Sequence, residues 1–167
     1  MSIQKPTFDD VDDFPHHLRT PPPGASQVHM LASRLKRMFD ADINDILNER
    51  CSLSLPEWRI LSALSDSSEP VCQKEVVERI GFAQGQTSRA LEVLEAGDMI
   101  VSRQSTSDRR SRYYKITSIG LAQVKSLLPH MEDRRSALES VLSEAEIANF
   151  EQASVKLIGI LNDRQKR

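Results

Sequence analysis

Apolar and polar positions along this chain repeat with periods that change at definite places, and the changes mark out its elements. From Ala25 to about Glu49, Val28, Leu31, Leu35, Met38, Phe39, Ile43 and Ile46 recur at intervals of mostly three or four residues. On a helix that spacing draws one continuous apolar stripe. At roughly seven turns the helix is longer than most in globular domains, which predicts that it packs against more than its own domain. Ser54-Leu55-Pro56-Glu57 opens a second helix. A hydroxyl there can take a free backbone N–H, a carboxylate can reach back, and proline is tolerated in the first turn. Trp58, Leu61 and Leu64 fall on its inner face, and Ser65 to Pro70 is a loop by composition.

The pattern shortens from Val71 to Thr117. Val71 reads as a single strand residue. Gln73–Ile80 is a compact helix with Val76, Val77 and Ile80 inward, ended by Gly81, a residue free to take positive φ. The next helix runs from Ala83 to Ala96 with Thr87, Ala90, Leu91 and Leu94 inward, and stops at Gly97-Asp98. A strand begins at Met99-Ile100-Val101, a polar stretch runs from Gln104 to Ser111, and Arg112–Ile116 alternates as a second strand. Helix, turn, helix, strand, polar loop, strand is the order of a helix-turn-helix followed by a β-hairpin wing. Thr117 is placed to cap a long helix from Ser118 towards Leu142, striped by Leu121, Val124, Leu128, Met131, Leu138 and Leu142 and bent at Pro129. Ser143-Glu144-Ala145-Glu146 is a capping box, and the last helix sets Ile147, Phe150, Leu157, Ile158 and Leu161 on one face.

The fold class expected is therefore mainly α with a small β-hairpin wing. A winged helix-turn-helix lobe occupies residues 51–117, between flanking helices at 25–50 and 118–164. Those flanking helices carry more apolar surface than a lone small domain needs, so they are expected to form the dimerisation region of a two-fold homodimer. An intramolecular bundle is the other arrangement open to them.

Residues 1–24 form an arm by composition, with Asp9, Asp10, Asp12 and Asp13 followed by Pro21-Pro22-Pro23-Gly24. The net charge of the whole chain is −2, which alone argues against a polyanionic partner. Its distribution reverses that inference. Between Met99 and Thr117, Arg103, Arg109, Arg110, Arg112 and Lys115 face Asp108 alone, a local density suited to phosphates. Two cysteines, Cys51 and Cys72, are too few for a disulfide scaffold and lack metal-ligand spacing. No apolar run is long enough to span a bilayer and no signal-peptide pattern opens the chain, so a cytoplasmic protein is expected. There is no nucleophile with a placed base, no metal motif and no phosphate-cradling glycine loop; neither an enzyme nor a cofactor is expected.

The chemistry instead points to double-stranded DNA. At the start of the second short helix the positions off the buried face are Gln84, Gly85, Gln86, Ser88 and Arg89. Glutamine pairs with adenine and arginine with guanine in the major groove, and free N–H groups at a helix start suit a phosphate. Glu92 and Glu95 lie further along, where the helix would leave the groove. A solvated helix face would look similar, but the wing adds a second, independent signal. Asp108 can bond within the turn and leave Arg109 and Arg110 at the loop tip to enter a narrow, negative minor groove, with Arg112 and Lys115 near phosphates on the return strand.

From Leu55 to Gly120 the chain resembles the MarR family of bacterial winged-helix regulators. The matching pieces are LPEWRILSAL, QKEVVERIGF, QTSRALEVLE, the wing SDRRSRYYKIT and Ile119-Gly120. With the flanking helices the similarity extends over about Ala25 to Leu161. The resemblance implies an obligate homodimer on a palindromic operator, usually a repressor released by a small ligand or an oxidant. By position it implies that Gln84, Gln86, Ser88 and Arg89 are the recognition-helix contacts and that Arg109 and Arg110 are the wing contacts. It places a small aromatic or anionic effector between the dimer helices and the DNA-binding lobe, with His29, Met30, Arg34 and Trp58 as candidates. Two positions depart from the family pattern. Gly97-Asp98 stands where a charged residue and then glycine are usual, which predicts a slightly shifted turn because aspartate tolerates the left-handed conformation less well. Cys72 stands where serine or threonine caps a helix, which predicts a weaker cap. Cysteine-based redox sensing through Cys51 or Cys72, and a winged-helix module that binds protein but not DNA, are the competing readings.

Overall fold

The computed structural model describes residues 24, 26–105 and 111–165. Helix α1 (Gln27–Arg50) starts at Ser26, whose Oγ accepts the His29 N–H at 3.1 Å. Helix α2 (Leu55–Ser65) starts as its sequence predicts, the Glu57 carboxylate accepting the Ser54 N–H at 2.8 Å. A two-residue strand β1 (Val71–Cys72) leads into α3 (Gln73–Ile80), and a turn through Gly81 leads into α4 (Gln84–Ala96). Strands β2 (Ile100–Gln104) and β3 (Arg112–Ile116) follow, then α5 (Ser118–Glu139) and α6 (Glu144–Gln165).

The three strands form one antiparallel sheet in the order β1-β3-β2. Register runs from Ile100 opposite Ile116 to Gln104 opposite Arg112, while Val71 and Cys72 pair with Tyr114 and Tyr113. The expected lone strand residue at Val71 is thus a short paired edge that ties the start of α3 to the wing. One core unites these pieces. Trp58, Leu61 and Leu64 of α2, Val76 and Ile80 of α3, Leu91 and Leu94 of α4, and Ile100 and Tyr114 of the sheet are all buried.

Two side-chain clusters hold the helix-turn-helix in shape. Arg59 of α2 donates to the Asp40 carboxylate of α1 at 2.5 Å and to the Ile80 carbonyl at 3.4 Å, and its guanidinium lies 5.3 Å from the centre of the Phe82 ring. Lys36 approaches the same carboxylate and the same ring. Arg79 of α3 reaches the Ala63 carbonyl, Ser67 and Glu75.

Both turns flanking α4 use a left-handed residue. Gly81 has φ +68°. After α4 the left-handed residue is Asp98, at φ 54°, and not Gly97, at φ −88°. Asp98 N–H donates to Glu95 O at 3.1 Å and Met99 N–H to Leu94 O at 2.9 Å, the paired bonds of a Schellman ending. The expected shift of this turn does not occur: Asp98 takes the left-handed position where the family pattern has glycine. Thr117 caps α5 as expected, its Oγ1 accepting the Gly120 N–H, and it also donates to the carbonyls of Asp98 and Met99. Gly120 is required there, because a Cβ would stand 2.2 Å from the Met99 carbonyl oxygen.

The apolar stripe of α5 differs from expectation. Gly120, Val124 and Leu127 are the buried residues, and Leu128 is exposed. Both leucines fit the helical period from Val124; the close approach of Gly120 to Met99 selects the Gly120–Val124–Leu127 line. Val77, expected inside, is half-buried. On α1 the fully buried residue is Leu47, which lies beside the predicted stripe, while Val28, Met38 and Phe39 remain exposed.

Residue contacts divide the described chain within α5, one unit ending at Met131 and the other starting at Glu132. In the second unit α6 begins with the expected capping box. The Ser143 hydroxyl and N–H both donate to Glu146 at 2.7 Å and hold its carboxyl below the usual carboxylate range. Among the described residues of α6 none is buried, and Phe150, Ile158 and Leu161 are each more than half exposed. No helix among the described residues is long and apolar enough to cross a membrane.

Candidate nucleic-acid interface

Helix α4 has two chemically distinct faces. Thr87, Ala90, Leu91 and Leu94 are buried, as their spacing predicts. Thr87 is polar, and its hydroxyl is satisfied within the helix by donating to the Ala83 carbonyl at 3.2 Å, so only its methyl group meets the core. Gln84, Gly85, Gln86 and Arg89 are exposed on the opposite side. The residue preceding the helix is Ala83, which has no side chain able to cap it. The Gln86 and Thr87 N–H groups turn back to the Ala83 carbonyl at 3.0 Å. The first N–H groups of α4 therefore face outward beside a polar, uncharged surface, which favours an approaching anion.

Ser88 departs from its expected exposure. It is half-buried, and its Oγ accepts from Gln73 Nε2 of α3 at 2.9 Å. Its local spacing is that of an outward position, and only the packing of α3 across the start of α4 covers it. Gln73 was not a sequence candidate; its sole signal was a polar residue at the first position of a helix.

At the other end of α4, Glu95 is occupied rather than projecting towards a ligand. It accepts the Ser102 hydroxyl at 2.5 Å and lies 3.6 Å from Arg112. Arg112 also lies against Tyr114, whose phenol is pushed above its ordinary range by burial, with the Arg112 hydrogen bond pulling the other way. Arg112 is thus turned back onto the base of the wing. A half-exposed ion pair of this kind is weak, so it does not lock the guanidinium away from a phosphate. Lys115 and Arg103 are exposed on the paired strands. Arg109 and Arg110, the expected loop-tip contacts, lie outside the described residues.

The MarR family model matches residues 52–111, from the turn before α2 to the start of β3. Over that stretch the chain is similar to the MarR family. The regulator MhqR of Bacillus subtilis is 26% identical over 121 residues, covering 72% of this chain and 82% of its own. In fold, the MarR regulator AbsC of Streptomyces coelicolor superposes with a TM-score of 0.71 at 17% identity, over 85% of this chain and 99% of that one. BpsR of Bordetella bronchiseptica, whose DNA binding is regulated by 6-hydroxynicotinic acid, superposes with a TM-score of 0.66 at 22% identity, over 79% of this chain and 98% of that one. The proteins it matches are transcriptional regulators.

The four effector candidates are not gathered in one cavity. His29 is exposed on the first turn of α1, Met30 and Arg34 are half-buried nearby, and Trp58 is part of the core at 6% exposure. The recess at Trp58, about 320 Å³, is lined by Arg59, Ser62, Ala63, Asp66, Arg79 and Ile80, with no residue from α1. A second cleft of about 330 Å³ lies among α3, the start of α4 and the foot of β3, with Gln73, Lys74, Gln84 and Arg112 in its walls. Cys51 and Cys72 are free and half-buried. Cys72 stands at the start of α3 with no side-chain cap bond, as sulfur's weak accepting power predicts. No cluster of metal-ligating side chains occurs among the described residues.

Proposed function

We propose that this chain is a homodimeric repressor that binds a palindromic DNA operator and is released by a small aromatic or anionic effector. The observation that carries the reading is the two-faced α4. A buried apolar line fixes the helix, while its uncapped first turn and the exposed Gln84, Gln86 and Arg89 stand free. In this reading Gln84, Gln86, Ser88 and Arg89 enter a major groove, Arg109 and Arg110 enter the flanking minor groove, and Arg112 meets backbone phosphates. The exposed apolar residues of α1 and α6 support pairing of two copies, which places half-sites about 10 base pairs, one helical turn, apart. The regulation of BpsR by 6-hydroxynicotinic acid, a heteroaromatic acid, supports the effector class, with His29, Met30, Arg34 and Trp58 and the two recesses as places to look. A repressor of this kind works in the cytoplasm.

The test is selection from duplexes with a randomised centre, followed by binding titrations across salt concentration. A recovered inverted repeat and a steep salt dependence are expected. Arg109→Ala should weaken binding and reduce the slope of log affinity against log salt by about 1. An unchanged affinity and slope would remove the wing from the interface. Failure of the protein to be retained on heparin or bulk DNA, with or without Arg109 and Arg110, would favour the protein-binding module instead.

A further inference from the structure

We infer that Gln73 is a specificity-determining positioning residue, holding the Ser88 hydroxyl so that it meets DNA as a hydrogen-bond donor. The inference rests on the assignment of α4 as the DNA-reading helix. A serine hydroxyl carries one donor and two acceptor sites, so what it can read depends on which of these the protein already uses. Helical serines usually turn their proton back to a carbonyl of the preceding turn, and others in this chain do so. Ser65, Ser126 and Ser140 donate to the carbonyls of Ser62, Gln123 and Ala137, and neighbouring Thr87 donates to Ala83.

Ser88 is different. Its Oγ receives the Gln73 amide N–H across 15 residues of sequence, and among the described residues no acceptor takes its proton. One of its two acceptor lone pairs is spent on Gln73, so the uncommitted O–H is offered outward with only one lone pair beside it. Gln73 can do this because Gly81 folds α3 back so that the first residue of α3 lies against the start of α4. The link ties the two helices of the motif at the edge that would face the groove.

A donor at this position pairs with an acceptor on a base edge, such as purine N7, guanine O6 or thymine O4. It is mismatched to cytosine, which presents its N4 amino donor in the major groove. A bias against cytosine at the base contacted by Ser88 is therefore set from α3 by a residue that itself need not touch the base. Replacing Gln73 by glutamate inverts the arrangement. A carboxylate only accepts, so the Ser88 proton turns inward and its lone pairs face the groove.

The experiment uses the full-length protein, the consensus duplex recovered by selection with the unaltered chain, and all single-base-pair variants of that duplex. Ser88→Ala and Gln73→Met should each flatten the preference at the same base pair, by about fivefold or more. The double variant should lose no more than either alone, because the two residues act as one unit. Gln73→Glu should move the preference at that position towards cytosine, an outcome that merely loosening α3 does not produce. Thermal melting reports whether each variant is folded, and Gln73→Glu, with an acidic residue in the first helical turn, guards against a Met variant that fails to fold. Additive losses, an equal loss on every duplex, or an unchanged base profile for Gln73→Glu would overturn the inference. If the unaltered protein enriches no sequence at all, the DNA-reading assignment itself falls, which is a separate result.

Discussion

Asp98 shows how much can turn on one backbone position. A left-handed conformation costs an ordinary L-residue about 1–2 kcal/mol, and aspartate somewhat less because its short side chain bonds locally. The complete pair of Schellman bonds around Asp98 shows that the turn ending α4 is nevertheless fully formed. Asp98→Gly should relieve this cost and raise stability by about 0.5–1 kcal/mol, less glycine's own entropic loss on folding; a urea melt with unchanged slope would register it. A lower midpoint would mean that the Asp98 side chain stabilises the turn in a way its exposure does not suggest. Much at this scale was legible in the sequence. The Ser54–Glu57 and Ser143–Glu146 caps, Gly81 and Thr117 occur as read, because each acts on groups within a few residues of itself. Ser88 was legible as polar but not as half-buried. Its partner Gln73 is 15 residues away, and nothing in a local pattern records a bond formed by the folding of one helix against another.

At the scale of elements, the helical periods placed α2, α3 and α4 because their buried faces are narrow and Gly81 and Gly97-Asp98 mark where α3 and α4 end. The period was ambiguous for α5, where Leu127 and Leu128 both follow Val124 at allowed spacings and a close backbone approach at Gly120 decided between them. The joint between α1 and the helix-turn-helix was not legible at all. Arg59 reads as an ordinary charged residue, yet it bonds Asp40 and the Ile80 carbonyl and covers Phe82. With the Arg59 and Asp40 side chains 29% and 18% exposed, the pair is only partly desolvated. Arg59→Ala is accordingly expected to cost about 1–2 kcal/mol, above a surface pair and below a buried one. Arg59→Lys should recover less than half of this, because an ammonium cannot make the forked contacts and the stacking together. Thermal or urea melts of the two variants check both values, and full rescue by lysine would reduce the cluster to a simple charge effect.

For the whole molecule, the question is what covers the apolar residues of α1 and α6. The sequence showed that these helices carry surplus apolar surface, but no local pattern states what they pack against. If two copies bury that surface together, Phe150→Glu combined with Ile158→Glu should shift sedimentation from a dimer to a single chain. Affinity for the recovered inverted repeat should then fall by roughly a hundredfold, since linkage of two half-site readers is lost. A variant that remains dimeric would show that the α6 residues lie outside the interface. The distance between these helices along the chain has its own consequence. The apolar residues of α1 leave the ribosome before residue 50, and those of α6 only after residue 144. At about 5–20 residues per second, the apolar face of α1 exists on the order of ten seconds before α6 is made. During synthesis that face is thus open to chaperones, and a pulse-labelled nascent chain that they capture before residue 144 is made is the expected outcome.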